Sequence, residues 1–250
     1  MNSELEDEKI MMDWTCYSHS YDLMAENNPA YQEILDCYAK TISQLNLNTS
    51  SVVADIGGGT GNFSIMTAKV YPDCRVLYYD FNSTMLRFAK DKAVKEGIRN
   101  IEFGIHDFDL CPSNSQKFSL IVCIHSIYTM KNPLGLIKLI YEMLSPGGHV
   151  FACDLGRTLN IMDWTKYIFS SLRGTHGMVH ALKILLKGRE VARANYDISK
   201  LQKSGQFWLH ELDDFIYAFT NCGFEIGEAK KMYRGYSDLV FAQKPMLKGN

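Results

Sequence analysis

The chain has 250 residues and a mass of 28.5 kDa, which fits one α/β domain with an added cap better than two full domains. Its 46% hydrophobic content is enough for a sizeable core, and a formal charge of −2 predicts no general attraction to nucleic acid or to an anionic membrane. No apolar run approaches the ~18 residues that span a bilayer, and the seven cysteines, at 16, 37, 74, 111, 123, 153 and 222, include no C-x-x-C pair of the zinc-ribbon or dithiol type.

The start, MNSELEDEKIMMDW, is acidic where a secretion signal would be basic, and several cysteines sit in apolar runs (LIVCI, VFACD) as reduced core residues do. Both features predict a cytoplasmic chain. A loose acidic end leads to a short helix carrying Trp14, Tyr17 and Tyr21. Tyr31, Ile34, Leu35, Tyr38, Ile42 and Leu45 then recur at helical spacing. SVVADI reads as a buried strand running straight into Gly57-Gly58-Gly59-Thr60-Gly61, after which a helix runs to about Tyr71. CRVLYYD is a second strand, and Asn82 or Ser83 caps the next helix, which Gly97 ends. NIEFGI and FSLIVCI are the third and fourth strands; a helix opened by Pro133 and an SPGG turn lead to the fifth, HVFACD.

Strands alternating with helices predict a doubly wound α/β fold around a parallel sheet. The rhythm breaks between Arg157 and Gln206, where only helical material appears. A helix from about Glu211 to Asn221 follows, and then FEIGEAKKMYRGYSDLVFAQ. Its turn near Arg234 and Gly235 is too short for a crossover, so these two strands pair antiparallel.

The glycine cluster lies at the first strand-to-helix turn, where ligands bind beyond the carboxyl ends of a doubly wound sheet. Glycines let the backbone turn tightly and a ligand approach closely. Asp80 ends the second strand 19 residues past Gly61, where an acid can accept from both hydroxyls of a ribose. The dinucleotide pattern G-x-G-x-x-G fails in either register, because Asn62 or Thr60 falls where a glycine is needed. The pattern is instead D-x-G-x-G-x-G, and Asp55 ahead of the glycines suits a cationic ammonium better than a pyrophosphate.

Asp55 to Gly61 resembles the first motif of the class I S-adenosylmethionine-dependent methyltransferases, a likeness extending over about Ser51 to Phe151. The resemblance implies a Rossmann-like seven-stranded sheet with its last strand antiparallel and S-adenosylmethionine as cofactor. It implies that Gly57, Gly59 and Gly61 line the methionine moiety and that Asp55 acts through the amino group and the loop. Asp80, with Phe81 beside it, would hold the ribose, and Asp107 and Phe108 would meet the adenine. Asp109 is an alternative to Asp107, and an aspartate after a strand is often only a turn residue. Cys123 to Ser126 would lie beside the methionine moiety. YSHSYDLM resembles the start of small-molecule members, where a tyrosine closes over the cofactor; Tyr17 and Tyr21 share a helix face, and packing alone also explains them.

The expected organisation is a single domain over 1–250, with N-terminal helices at about 10–46 and the insertion at about 157–206 forming a substrate cap. Within it, His125 at the end of the fourth strand and His176 in the insertion are the candidate bases. A satisfied buried histidine and a surface histidine are the alternatives. His176 and His180 stand at i, i+4 without an H-E-x-x-H pattern. The places where metal-dependent catechol-type members carry their acids read His125-Ser126 and Asp154-Leu155, so no metal is expected. The expected reaction is metal-independent, in-line methyl transfer to a small, biosynthetic acceptor by a monomer or homodimer, with no nucleic acid or membrane partner. An RNA or protein methyltransferase, or a cofactor-binding protein without catalysis, remains the alternative.

Overall fold

In the computed structural model, residues 14–110 and 116–246 are described; the acidic N-terminus through Asp13, and Cys111, lie outside them. Val52–Ile56 (β1) is hydrogen-bonded on both sides, Val53 pairing with Val76 of β2 (Arg75–Asp80) and with Leu120 of β4 (Phe118–Ile124). A strand with neighbours on both edges and helices on both faces needs no polar alternation, which explains the continuous run VVADI. Beyond β2 lies β3 (Ile101–Ile105); beyond β4 lie β5 (Leu144–Leu155), β7 (Ser237–Gln243) and β6 (Glu225–Met232). The order is therefore β3-β2-β1-β4-β5-β7-β6, with β7 antiparallel to both neighbours. The seven-stranded Rossmann-like sheet expected from the sequence is present.

On one face, Pro29–Ile42 (α2) turns Ile34, Tyr38 and Ile42 onto Val53, Val122 and Phe151. Asn28 caps this helix by accepting from the Ala30 amide at 3.1 Å, and Pro29 supplies the fixed φ of a first turn. Each such apolar side chain, fully buried, contributes roughly 1.5–3 kcal/mol. Asn62–Val70 (α3) and Ser83–Lys95 (α4) cover β1 and β2, the latter capped by Asn82, whose side chain accepts from the Thr84 and Met85 amides. Pro133–Met143 (α5) and Leu212–Thr220 (α9) cover the other face through Ile137, Ile140, Phe215 and Phe219.

The fifth strand differs from expectation. It begins at Leu144, directly after α5, and Ser145–Gly148 bulges within it rather than forming a separate turn. Gly147, at φ +78°, allows this, and its amide pairs with the Lys244 carbonyl just past β7.

Between β5 and α9 the chain forms three helices, Ile161–His176 (α6), Met178–Lys187 (α7) and Arg189–Lys203 (α8). Gly177, at φ +83°, separates the first two, whereas Gly174 continues α6. These helices and Trp14–Glu26 (α1) lie beyond the carboxyl ends of β4 and β5, near the β1/β4 switch point.

Candidate active site

The glycine loop divides its work among its residues. A Cβ on Gly57 would meet the Ser126 Cβ at 2.5 Å, one on Gly58 the Tyr78 ring at 2.5 Å, and one on Gly61 the Ala89 Cβ at 2.8 Å. These three are glycine because protein packs against them. Gly59, at φ +53°, has open space where its Cβ would be and borders the cleft. Its amide donates to Asp80 Oδ2 at 2.9 Å, and its carbonyl accepts from the Tyr78 hydroxyl at 2.5 Å.

Asp80 Oδ1 also accepts from the Asn82 amide at 2.8 Å, so two backbone donors hold the carboxylate in one orientation. Burial raises its pKa above the usual carboxylate value, opposed by the Asn82, Gly59 and Phe81 amides. The carboxylate, with about four lone-pair sites, keeps room for a hydroxyl donor. Asp55 sits under the loop, bonded by the Ser64 hydroxyl at 2.5 Å, and borders only a small recess with Gly57–Thr60. Burial pushes its pKa up to about 6 against the Ser64 hydrogen bonds.

From Asp80 the cleft extends two ways. Toward β3 it is bordered by Phe81, His106, Asp107, Phe108, Asp109 and Met130. Both aspartates of that segment are there; Asp107 accepts from the Asp109 amide and Asp109 from the Lys131 amide. Toward β4 it is bordered by Trp14, Tyr17, Tyr21, Ile124, His125, Ser126 and Tyr233. There it meets a third cavity, walled by Tyr31, Trp164, Ile168, Leu185 and Val191. Tyr17, Tyr21, His125, Leu159, Asn195 and Tyr233 border both spaces.

His125 adopts φ +50°, with its amide bonded to the Cys153 carbonyl and its Nε2 2.8 Å from Ser237 Oγ. Burial depresses its pKa to about 4, so the imidazole is neutral at ordinary pH. Burial likewise raises Tyr17, Tyr21 and Tyr233 above the usual phenol value, and Tyr31 to about 12; none of these hydroxyls ionises readily.

Two candidates from the sequence are not brought to the cleft. His176 is exposed at the end of α6, bonded to Thr175 Oγ1 and stacked on His180 at 4.8 Å, and it borders none of these spaces. His176 is the last residue of α6, and Gly177, at φ +83°, separates it from α7. Cys123 is fully buried against Ile121, Ala152 and Val240; strand alternation turns it into the core and leaves Ile124 to His125 at the rim.

Sequence reading missed Tyr233, Asn195 and the attachment of α1. Tyr233 lies in the β6–β7 turn, where it and Arg234 both take positive φ (52° and 58°), an arrangement without a local sequence signal. The neighbouring Arg234 pairs with Asp163 at 2.8 Å and lies over the Tyr167 ring at 4.3 Å, which holds that turn against α6.

Residues 47–192 match the family described as "Methyltransferase domain". The chain belongs to that family, and its sheet order and glycine loop are of the class I S-adenosylmethionine-dependent methyltransferase type. A ubiquinone/menaquinone biosynthesis C-methyltransferase of Pseudomonas fluorescens is 26% identical over 141 residues, covering 54% of this chain and 55% of the relative. A malonyl-[acyl-carrier protein] O-methyltransferase of a Marinomonas species is 28% identical over 210 residues, 82% of this chain and 73% of that one. The chain thus spans little more than half the length of the first of these. The crystal structure of magnesium protoporphyrin IX methyltransferase from Synechocystis with bound SAH superposes with a TM-score of 0.57 at 16% identity, covering 85% of this chain and 82% of that one.

The cleft has the features that S-adenosylmethionine would require: an open approach at Gly59, an oriented buried acid at Asp80, and aromatic faces at Tyr17, Tyr21 and Tyr233. Among the described residues no group of three or more His, Cys, Asp or Glu side chains could hold a metal ion.

Proposed function

We propose that this chain transfers a methyl group to a small-molecule acceptor held in the cavity between α1, α6 and α8. One observation carries this reading: the cofactor cleft and the apolar cavity meet along a shared wall of Tyr17, Tyr21, His125, Leu159, Asn195 and Tyr233. An acceptor on one side of that wall can reach a methyl on the other. Bound S-adenosylmethionine supplies a methyl carbon already made electrophilic by the sulfonium.

In this reading Asp80 binds the ribose, Asp107 or Asp109 with Phe81 and Phe108 meets the adenine, and Gly57 and Gly59 border the methionine moiety. Asp55 and Gly61 shape the loop from below. The tyrosine faces stabilise positive charge by about 0.5–2 kcal/mol. Helices α1 and α6–α8 form the cap, exclude water and orient the acceptor, and orientation alone contributes roughly 7–11 kcal/mol.

His125 has the position of a base but not the basicity. A pKa of about 4 is far below the near-neutral value that suits proton abstraction from a hydroxyl. Its neutral imidazole suits hydrogen bonding to an acceptor that is already nucleophilic, such as an enolate carbon or a phenolate, aligned for in-line displacement. The walled cavity favours a small molecule over RNA or a protein surface. Free Cys37, Cys74, Cys123, Cys153 and Cys222 suit the reducing cytoplasm.

The test is turnover with a panel of ionisable small acceptors, compared between wild type and Ile168→Ala with Trp164→Ala. The expected result is a loss of acceptor turnover of tenfold or more with cofactor affinity within about twofold. A matched loss of cofactor affinity would sink the assignment of this cavity to the acceptor.

A further inference from the structure

Helix α7 turns Ala181 and Ile184 inward onto Ile168 and Leu172 of α6, while Leu185 reaches the acceptor cavity. Met178, Val179, Leu182 and Leu186 face outward, 52, 82, 48 and 72% exposed. On a helix of about 3.6 residues per turn they fall within one arc of about 100°. They therefore form a stripe rather than scattered surface residues.

Charge borders the stripe. Lys183 and Lys187 follow it along the same helix, and residues 173–203 hold seven lysines and arginines against two acids, Glu190 and Asp197, in a chain of net charge −2. An exposed apolar stripe with basic flanks is the pattern of a helix lying at a lipid–water interface. The stripe also adjoins the mouth of the acceptor cavity. Leu185, Gly188, Arg189 and the exposed Thr165 line that cavity, and Met162, 69% exposed, stands one turn before Thr165 on α6.

We infer that α7 docks the protein on an anionic lipid surface, so that a lipophilic acceptor passes from the bilayer directly into the cavity. The delivery step rests on the small-molecule reading above; the docking itself does not. A second copy of the chain would also cover the stripe. A two-fold dimer through this face, however, would bring Lys183 and Lys187 of both copies together, whereas anionic headgroups complement them. Net charge predicted no membrane attraction because it averages over the whole surface. The local distribution is what a bilayer meets.

The experiment is flotation of the full chain with vesicles of phosphatidylcholine alone and of phosphatidylcholine mixed with phosphatidylglycerol. The expected result is binding to the mixed vesicles that weakens with salt, and much weaker binding to phosphatidylcholine. Leu182→Glu with Leu186→Glu, both at exposed positions, should cut binding at least tenfold. Lys183→Ala and Lys187→Ala should each cut it roughly fivefold on the mixed vesicles only. Unchanged unfolding midpoints and unchanged S-adenosylmethionine affinity by calorimetry verify that the variants are folded. Vesicle binding without acceptor turnover would leave docking standing and sink the transfer reading. Absent vesicle binding, or binding indifferent to these variants, would overturn the docking. So would a dimer in sedimentation equilibrium, dissociated by the leucine variants, in a protein that ignores vesicles; that result would assign the stripe to a second copy.

Discussion

The Asp22 carboxylate on α1 accepts the Thr60 hydroxyl of the glycine loop at 2.6 Å, while its other oxygen lies 2.8 Å from the Lys92 ammonium on α4. One side chain thus fastens the helix that carries Trp14, Tyr17 and Tyr21 to the loop those rings face. Asn82 adds a 3.2 Å bond to Thr15 at the start of the helix. Asp22→Ala should let α1 lift more easily, raising the cofactor dissociation rate about fivefold while changing stability by no more than about 1 kcal/mol, because the pair is partly exposed. Stopped-flow tryptophan fluorescence measures this; an unchanged off-rate would mean that α1 does not gate the cleft.

Asp80 is held by the Gly59 and Asn82 amides and borders the cleft. Asp80→Ala removes a charged acceptor from the ligand and releases the amide that orients the loop. Cofactor affinity should fall at least tenfold, about 1.4 kcal/mol. Calorimetry on a folded variant decides the matter, and affinity within twofold of wild type would rule out the ribose contact.

His125 combines a left-handed backbone with a pKa depressed to about 4 by burial. Between the ordinary value near 6.5 and the folded value, the unfolded chain binds more protons, so stability falls as pH drops through that window. His125→Asn, which tolerates positive φ, should flatten that part of the stability–pH curve. Turnover should hold through pH 6 in wild type and show no histidine limb near 6.5. His176→Ala, at an exposed position, should leave both curves unchanged.

Asp154 has the opposite sign. It is fully buried, 3.9 Å from His210 Nε2, and directly across the β5–β7 pair from Asp238, which lies 3.1 Å from His210 Nδ1 and is paired with Arg157. Burial drives the Asp154 pKa up to about 7, against the pull of His210 and the amides of Tyr128, Ile127 and Ser126. The folded state therefore holds a proton that the unfolded state loses near pH 4, and stability falls as pH rises from about 4 to 7. Asp154→Asn should remove this slope, gaining on wild type by on the order of 1–4 kcal/mol at pH 7 relative to pH 4. Thermal unfolding across that range checks it; parallel curves would show that the carboxyl titrates normally.

The fold was legible because its signals are local. A both-faces-buried strand such as VVADI, the Asn82 cap, and a turn too short for a crossover each state their structure within a few residues. The meeting of the glycine loop with Asp80 was legible for the same reason: Asp55 to Gly61 and Asp80 end consecutive strands, and parallel pairing brings strand ends together. The apolar cavity beside it was not. Tyr233, Asn195, His125 and Tyr21 meet across a sequence distance of more than 200 residues, through a hairpin turn and three helices whose packing no single segment determines. His176 and Cys123 were misjudged because spacing gives a face but not its direction: one stands exposed at the end of α6, and strand alternation turns the other into the core. Chain-local energetics decide elements and caps. Which way a helix faces, and whether a histidine keeps its proton, depend on neighbours that only tertiary packing supplies.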